Sequence, residues 1–241
     1  MFVGREAELA KLESLYEQRS FQMAVVYGRR RVGKTTLINE FCRGKRTLSF
    51  TALEQSDADN LADFNRAIAS FFNLPASLGG FLSWTDALSF VADRARTERF
   101  IFVFDEFPYA AMRNEALPSI FQVAIDRAFK ETDAFLILCG SNQGFMESNV
   151  LGRKSPLFGR RTAQIKVRDL GFKDAAKMLP GLSVQEAFQF YGCFGGVPYY
   201  LQQLDPSVGL KENLARLYFD PMGFLYGEPE GLIRQEFQEP A

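Results

Sequence analysis

The chain has 241 residues, of which 47% are hydrophobic and 24% are charged. A chain of this size can bury enough surface to form its own core, and its composition excludes a disordered chain. Because 28 Lys and Arg are balanced by 29 Asp and Glu, the net charge is −1. Overall charge therefore gives no basis for binding nucleic acid.

The sequence contains no histidine and three cysteines, which excludes several kinds of catalytic and metal-binding site. Without histidine the chain cannot use a Ser-His-Asp or Cys-His pair, a histidine metal ligand or a histidine pH switch. The three cysteines, Cys42, Cys139 and Cys193, are widely spaced and form no C-x-x-C pair, so neither a disulfide framework nor a zinc ribbon is favoured. We expect buried thiols in a reducing compartment.

No apolar run approaches the ~18–20 residues that a helix needs to span a bilayer. The N-terminus has no long apolar core either, so no secretory signal is predicted. The sequence therefore predicts a cytoplasmic protein without a membrane partner.

Short apolar segments alternate with amphipathic ones along about the first 170 residues, which is typical of an α/β protein with a mainly parallel sheet. Helices are predicted at residues 5–18, 34–41, 57–72 and 84–96, with a loop at Pro75 and Gly79-Gly80. The predicted strands, which are short and apolar, are residues 22–27, 46–50, 100–104, 134–139 and 163–167.

The strand pattern stops after about residue 170, and short helices are predicted at residues 172–178, 183–194, 198–204 and 211–218. This pattern predicts a small helical domain following the sheet. The expected organisation is a sheet domain at 1–170, a helical domain at 171–219, and a linker at 220–241 with one short helix near 232–237.

Residues 28–35 read Gly-Arg-Arg-Arg-Val-Gly-Lys-Thr and match G-x-x-x-x-G-K-[ST] between a predicted strand and a predicted helix. In this context the loop N–H groups and the helix N-terminus bind phosphate. Lys34 would reach the β- and γ-phosphates, and the Thr35 hydroxyl would ligate Mg²⁺. The predicted nucleotide-binding residues of the loop are Gly28, Arg29, Arg30, Arg31, Val32, Gly33, Lys34, Thr35 and Thr36.

The three consecutive arginines inside this loop permit two interpretations. They either form a small nucleic-acid patch or support the triphosphate electrostatically. The second is favoured, because only three charges cluster in a nearly neutral protein.

The predicted strand at 100–104 ends in Asp105 and Glu106, which is a Walker B pattern. Asp105 would hold Mg²⁺, and Glu106 would polarise the attacking water. The alternative is a solvated strand end whose acids cap the next helix. No N-K-x-D motif follows, which favours adenine over guanine. The extra strand before this motif and the glutamate after Asp105 resemble the P-loop NTPase division that contains the AAA+ and STAND ATPases.

In enzymes of that kind, a small polar residue after the fourth strand senses the γ-phosphate and helps orient the attacking water. Ser141 or Asn142 would do so here, or would instead cap a helix. A guanidinium near the triphosphate would stabilise charge developing during phosphoryl transfer. Arg160 is the first candidate and Arg161 the second, against a plain basic pair at a strand entrance. Either arginine would act on the nucleotide of its own chain or on that of a neighbouring chain, and the sequence does not distinguish the two.

Several motifs in order carry a family resemblance. Residues 2–9, Phe-Val-Gly-Arg-Glu-Ala-Glu-Leu, look like the G-R-x-x-E-L start of AAA+ and STAND ATPases. Together with residues 27–35, 104–107, 140–141, 156–161 and 195–198, they resemble the archaeal-type ATPase family of the STAND clade over about residues 1–205.

The resemblance implies a three-layer P-loop NTPase fold with a five-stranded parallel sheet and a helical lid that closes on the nucleotide. It also implies an adenine pocket lined by Val3, Gly4 and Arg5. Family members commonly continue into a winged-helix segment and an endonuclease-like domain. We expect either a fragment or a chain without that output domain, and a DNA or protein partner would engage through it.

The function expected from these residues is an ATP-hydrolysing molecular switch with Mg²⁺. Its predicted catalytic residues are Glu106, Lys34, Arg160 and Ser141, its metal ligands are Thr35 and Asp105, and nucleotide-dependent homo-oligomers are expected. One alternative is a nucleotide-gated module that binds protein or DNA with little turnover. A phosphotransferase is disfavoured, because Asp105-Glu106 suits activation of water.

Overall fold

The computed structural model describes residues 2–75 and 79–237. The chain forms two compact units, one of Phe2 with Gly4–Val167, and one of Val3 with the residues from Arg168 onward. The loop predicted between Pro75 and Gly79 falls on residues 76–78, which lie outside the described residues.

Five parallel strands form the sheet of the first unit, which confirms the predicted α/β class. Each observed strand end lies within one residue of its prediction. The sheet order is β2-β3-β4-β1-β5, where the strands are β1 (Gln22–Tyr27), β2 (Thr47–Thr51), β3 (Ile101–Asp105), β4 (Phe135–Gly140) and β5 (Ala163–Lys166).

The helices of the first unit pack on this sheet, and short 3-10 and π-helical turns cover Phe129–Glu131 and Met146–Val150. Ser side chains start two of the long helices, since Ser56 accepts from the backbone of Asp59 and Ser83 from that of Asp86. The helices are α1 (Glu6–Tyr16), α2 (Lys34–Cys42), α3 (Asp57–Phe72), α4 (Trp84–Ala95), α5 (Phe107–Arg113), α6 (Leu117–Arg127) and α7 (Gln143–Phe145).

The three central strands β1, β3 and β4 are buried on both faces, with successive side chains pointing to opposite sides of the sheet. Phe102 of β3 belongs to a core cluster with residues of α3, α4 and α6, whereas its neighbour Ile101 belongs to a second cluster with residues of α1 and α2. On the first face, Phe64 stacks on Trp84 and on Phe102 at centroid distances of 5.4 and 5.5 Å. Helices therefore pack on both faces of the sheet in a three-layer arrangement.

The second unit is helical and has its own apolar core. Leu225, in the segment predicted as a linker, is buried in this core with Phe190 and Phe194. The helices are α8 (Phe172–Lys177), α9 (Val184–Phe194), α10 (Pro198–Leu201), α11 (Gly209–Leu214) and α12 (Glu228–Phe237), with shorter turns at Pro206–Val208 and Ala215–Phe219. Across the described ranges no helix is both long and apolar enough to cross a membrane.

Candidate nucleotide-binding site

The sheet register brings three loops to one edge. Tyr27 at the end of β1 pairs with Gly140 at the end of β4, and β3 runs parallel to β4 on its other side. The loop at 28–33, the Asp105-Glu106 pair and Ser141 therefore all follow the carboxyl ends of adjacent strands. In parallel sheets ligands bind at this edge.

The predicted phosphate loop, residues 28–33, has backbone angles at Gly28 and Gly33 that favour glycine. Gly28 has φ 152° and Gly33, the N-cap of α2, has φ 92°. A Cβ built on Gly28 would lie 2.2 Å from the carbonyl oxygen of Val167, so no other residue fits there without moving the backbone. Val32 is buried in the core and anchors the loop, while Arg29, Arg30 and Arg31 are exposed.

Lys34 is buried with only 6% of its surface exposed. Its ammonium donates hydrogen bonds to the carbonyl oxygens of Gly28 at 3.0 Å and Arg29 at 2.9 Å. Burial lowers the pKa of Lys34, and nearby Cys139, Glu106 and Asp105 act in the opposite direction. A buried cation thus lies under a loop that closes around it.

Thr35 and Asp105, which the sequence predicts as metal ligands, contact each other. The Thr35 hydroxyl donates to Oδ2 of Asp105 at 3.4 Å, and Asp105 is 9% exposed. Within residues 2–75 and 79–237, no cluster of three or more Cys, Asp or Glu forms a metal cage. A hydroxyl and one carboxylate fit Mg²⁺, because Mg²⁺ keeps most of its waters and binds substrate phosphates through the rest of its shell.

A thiol lies beside this pair. Cys139 of β4 is fully buried, and burial raises the pKa of its thiol well above the ordinary value, with Asp105 adding to the rise. The thiol is therefore neutral, and Cys139 packs beside the site as a small apolar side chain.

Glu106 begins α5 from a left-handed backbone conformation with φ 50°. Its Oε2 accepts two hydrogen bonds from Ser141, one from the backbone N–H at 3.0 Å and one from the hydroxyl at 2.9 Å. The backbone N–H of Glu106 itself donates to Oδ1 of Asp105 at 2.9 Å. The Asp105 carboxylate is thus held by the backbone of Glu106, and the Glu106 carboxylate is held by Ser141 at the end of β4.

Two further contacts tie the loop to its surroundings. Arg30 donates a hydrogen bond to the phenol oxygen of Tyr109 on α5. Arg5, which like Gly4 has a left-handed backbone, donates to the carbonyl oxygen of Val32 at 3.0 Å. The predicted adenine-pocket residues Gly4 and Arg5 therefore lie beside the phosphate loop.

Arg160 lies at the opposite edge of the sheet. It precedes β5. Thr162, the residue before β5, donates its backbone N–H to the carbonyl oxygen of Met23 near the start of β1. Met23 and Tyr27 are four strand steps apart, about 13 Å at roughly 3.3 Å per step. Arg160 donates from Nε to both carboxylate oxygens of Asp126 on α6 at 3.1 Å. The hydrogen bonds from Arg160 and Lys130 hold the pKa of Asp126 below its usual value.

Arg161 and Asn142, the alternatives to Arg160 and Ser141, have other partners. Arg161 lies over the ring of Phe158 at 5.6 Å. The side chain of Asn142 accepts from the backbone of Phe145 and caps α7 at 2.9 Å. Neither contact involves the phosphate loop.

Residues 2–204 match the family model of an ATPase domain predominantly from Archaea. The chain belongs to this archaeal ATPase family. An uncharacterized protein of Methanocaldococcus jannaschii is 32% identical over 240 residues, which cover all of this chain and 52% of that protein. The chain therefore spans about half the length of that relative.

Solved structures share the fold of this archaeal ATPase. A Walker-type ATPase of Pyrococcus abyssi superposes with a TM-score of 0.63 at 20% identity, covering 97% of this chain and 76% of that one. Cdc6p of Pyrobaculum aerophilum superposes with a TM-score of 0.57 at 15% identity, covering 94% and 62%. The family match and the shared fold make the chain an ATP-binding P-loop NTPase.

Sequence reasoning missed two contacts of this site. The Arg30–Tyr109 bond joins residues 79 apart, and the Ser141–Glu106 bonds join residues 35 apart. The only signal for the second was that both residues follow predicted neighbouring strands, which places them at one edge without specifying a contact.

Proposed function

We propose that this archaeal ATPase hydrolyses ATP, as its Mg²⁺ complex, to ADP and phosphate, and that turnover operates a nucleotide-dependent switch. The observation that carries the proposal is the meeting of Lys34, Thr35, Asp105 and Glu106 at one sheet edge. Each would supply a different part of phosphoryl-transfer chemistry.

Phosphate binding rests on the loop and on α2. The N–H groups of residues 28–36 and the N-terminal end of the helix favour an anion. Lys34 adds a full positive charge that burial has already removed from water, so its attraction to phosphate is weakly screened. The exposed arginines of the loop add further positive potential.

The Thr35 hydroxyl and the Asp105 carboxylate would hold Mg²⁺. When bound, the ion neutralises charge on the phosphate oxygens and polarises the phosphoryl group. The backbone N–H of Glu106 holds Asp105 through Oδ1, which leaves Oδ2, the atom that Thr35 contacts, for the metal side.

Glu106 would act as the general base. Its carboxylate takes a proton from water, the water oxygen bonds to the γ-phosphorus, and the bond to the β,γ-bridging oxygen breaks. ADP leaves with the electron pair of that bond. Ser141 fixes the carboxylate near Asp105, at the same edge as the phosphate loop.

Other parts of the proposal come from the family resemblance. Residues 1–170 would form the ATPase domain, 171–219 a lid, and 220–241 the connection to a further segment. Val3, Gly4 and Arg5 would contact adenine. The protein would act in the cytoplasm, form homo-oligomers that depend on nucleotide, and bind DNA or a protein partner.

The direct test is Glu106→Gln, with steady-state phosphate release and calorimetric ATP binding measured on the same samples. We expect retained Mg-ATP binding and hydrolysis reduced by at least about 10²-fold, in the range that general bases contribute. Glu115→Gln, at an exposed glutamate, is the matched control and should hydrolyse ATP normally.

Two outcomes decide against the proposal. Unchanged turnover in Glu106→Gln removes Glu106 from the mechanism. Wild-type protein that binds Mg-ATP but releases no phosphate, alone or with DNA, favours the nucleotide-gated binding module instead.

A further inference from the structure

Arg30 of the phosphate loop is held by a side chain of α5. Its guanidinium donates a hydrogen bond to the phenol oxygen of Tyr109. Tyr109 lies in the first turn of α5, where its backbone N–H donates to the carbonyl oxygen of Glu106 at 2.9 Å, and its half-buried ring packs on the apolar core. Arg30 is therefore anchored to a ring that lies one helical turn from the proposed general base.

The bond to Tyr109 leaves most of the guanidinium free. An arginine side chain carries five N–H donors in one plane, and this bond uses one of them. Arg30 is exposed, and across the ranges that the structure describes no carboxylate forms an ion pair with it, in contrast to Arg160, which pairs with Asp126. A guanidinium that is held in place without a carboxylate partner is available to an anionic ligand.

Arg30 and Lys34 bring two positive charges to the same loop. Nζ of Lys34 donates to the carbonyl oxygen of Arg29 at 2.9 Å, and this carbonyl belongs to the peptide bond that joins Arg29 to Arg30. Burial lowers the pKa of Lys34, and the charge of Arg30 lowers it further. The two cations repel each other, and an anion that binds between them relieves the repulsion.

The side of the loop on which Arg30 is held indicates which phosphate it reaches. In the proposed mechanism, water activated by Glu106 attacks the γ-phosphorus, so the γ-phosphoryl group lies on the Glu106 side of the site. Tyr109 follows Glu106 by one turn of the same helix and holds Arg30 on that side. The free N–H groups of Arg30 are therefore placed for the γ-phosphate.

We propose that Arg30 contacts the γ-phosphate of the ATP bound to its own chain, and that Tyr109 positions the Arg30 guanidinium for this contact. Arg30 then stabilises the negative charge that develops on the γ-phosphoryl oxygens, as a guanidinium does in phosphoryl transfer. The inference rests on the proposed function and goes beyond it, since it assigns a positioning role to Tyr109 and gives Arg30 a task that the general positive potential of the loop does not require.

Tyr109→Phe tests the positioning role, because it removes the phenol oxygen and keeps the ring. The charge of Arg30 still attracts ATP, but its orientation in the transition state is lost, so we expect kcat to fall on the order of tenfold with KM for Mg-ATP unchanged. Tyr16→Phe, at a half-buried tyrosine of α1 whose ring packs on Phe41, is the matched control and should leave both parameters unchanged. An unchanged kcat in Tyr109→Phe overturns the positioning role.

Binding of ATP and ADP by Arg30→Ala tests which phosphate Arg30 contacts. Calorimetry in the Glu106→Gln background, where ATP stays intact, measures both affinities. We expect Arg30→Ala to weaken ATP binding about tenfold and ADP binding less than about twofold, because ADP has no γ-phosphate. Equal weakening for the two nucleotides, or no weakening for either, overturns the γ-phosphate contact.

Tyr109→Phe combined with Arg30→Ala completes a double-mutant cycle in single-turnover hydrolysis, with melting temperatures of all variants. We expect Tyr109→Phe to cause no further loss of rate once the Arg30 guanidinium is absent. An equal loss in both backgrounds shows that Tyr109 acts independently of Arg30 and overturns the inference. Arg30→Lys, which keeps the charge but loses the planar fork, should restore ATP binding more than kcat.

The Glu106→Gln variant separates failure of this inference from failure of the proposed function. Wild type that releases no phosphate, or Glu106→Gln that hydrolyses ATP at the wild-type rate, defeats the proposed function and the inference with it. Hydrolysis that depends on Glu106 but is unaffected by Tyr109→Phe and Arg30→Ala defeats the inference alone.

Discussion

The hydroxyl of Thr35 and Oδ2 of Asp105 lie 3.4 Å apart although 70 residues separate them in the chain. Thr35 is in the first turn of α2, after β1, and Asp105 ends β3, with β4 between the two strands. The parallel sheet therefore brings together the two side chains that we propose as Mg²⁺ ligands, and neither segment holds both.

This pair predicts how the metal dependence responds to Asp105→Asn. The amide keeps the shape but loses the charge, so we expect affinity for ATP with Mg²⁺ to fall at least about tenfold. Affinity for ATP in EDTA should stay near the wild-type value. Calorimetric titrations with and without Mg²⁺ measure both, and Asp93→Asn, at an exposed carboxylate, is the control. Equal Mg-ATP binding in Asp105→Asn and wild type would contradict this assignment.

Two Gly→Ala substitutions should have opposite effects on stability. Ala at Gly28 places a Cβ 2.2 Å from the Val167 carbonyl at a φ of +152°, so we expect a loss of about 2 kcal/mol or more and loss of ATP binding. Gly192 lies inside α9 with nothing within 4 Å of the added carbon. Ala there should stabilise by up to about 1 kcal/mol. Urea unfolding of both variants measures this, and a neutral Gly28→Ala would refute the close approach.

Lys34 makes stability depend on pH in a defined direction. Burial lowers its pKa from 10.5, so between the lowered value and 10.5 the unfolded chain binds more protons than the folded one. The free energy of unfolding due to this group therefore rises with pH through that window, and below it the cost of burying the charge is fully present.

The variant Lys34→Met removes that cost. We expect it to be more stable than wild type near neutral pH, with the difference shrinking as pH approaches 10.5, while ATP binding is lost. Thermal melts of both proteins across alkaline pH measure the difference, and exposed Lys211→Met is the control. A variant less stable than wild type at every pH would show that the two loop hydrogen bonds outweigh the burial cost.

The position of Arg160 predicts action between chains. Arg160 is bonded to Asp126 near the amino ends of the strands, whereas the phosphate loop follows their carboxyl ends. We therefore expect Arg160 to contact the nucleotide of a neighbouring chain rather than its own. We expect specific activity to rise with protein concentration and to fall in Arg160→Ala. A mixture of Arg160→Ala with Glu106→Gln should exceed the summed rates of the two alone, because the second supplies Arg160 to the first's intact site.

Asp126→Ala separates this role from a structural one. It frees Arg160 but keeps the guanidinium, so it should retain activity if Arg160 acts on nucleotide. Equal losses in both variants, or activity independent of concentration with no gain on mixing, would assign Arg160 to anchoring α6.

The parts predicted well from sequence are those coded by short contiguous segments. The strands are short segments of four to six residues that are apolar or alternate apolar with polar residues, and the loop at 28–33 belongs to one continuous motif between a strand and a helix. The fold predicted from these segments is confirmed by the five-stranded sheet, and the family predicted from the resemblance of several motifs in order is confirmed by the family match.

The missed parts depend on long-range contacts or on ambiguous residues. Helices α5 and α6 were not predicted, and each carries a proline, Pro108 or Pro118, in its first turn, where proline is tolerated. The Arg160–Asp126 and Ser141–Glu106 pairs join residues 34 and 35 apart, and no periodicity marks such partners.

Calorimetric titration of Mg-ATP into wild type and Lys34→Ala tests the central claim most directly. We expect one site per chain in wild type, and binding weakened beyond detection in Lys34→Ala with an unchanged fold by circular dichroism. Wild type that gives no binding heat for any purine triphosphate at several temperatures, or Lys34→Ala that binds like wild type, would show that the turn after β1 is not a nucleotide site.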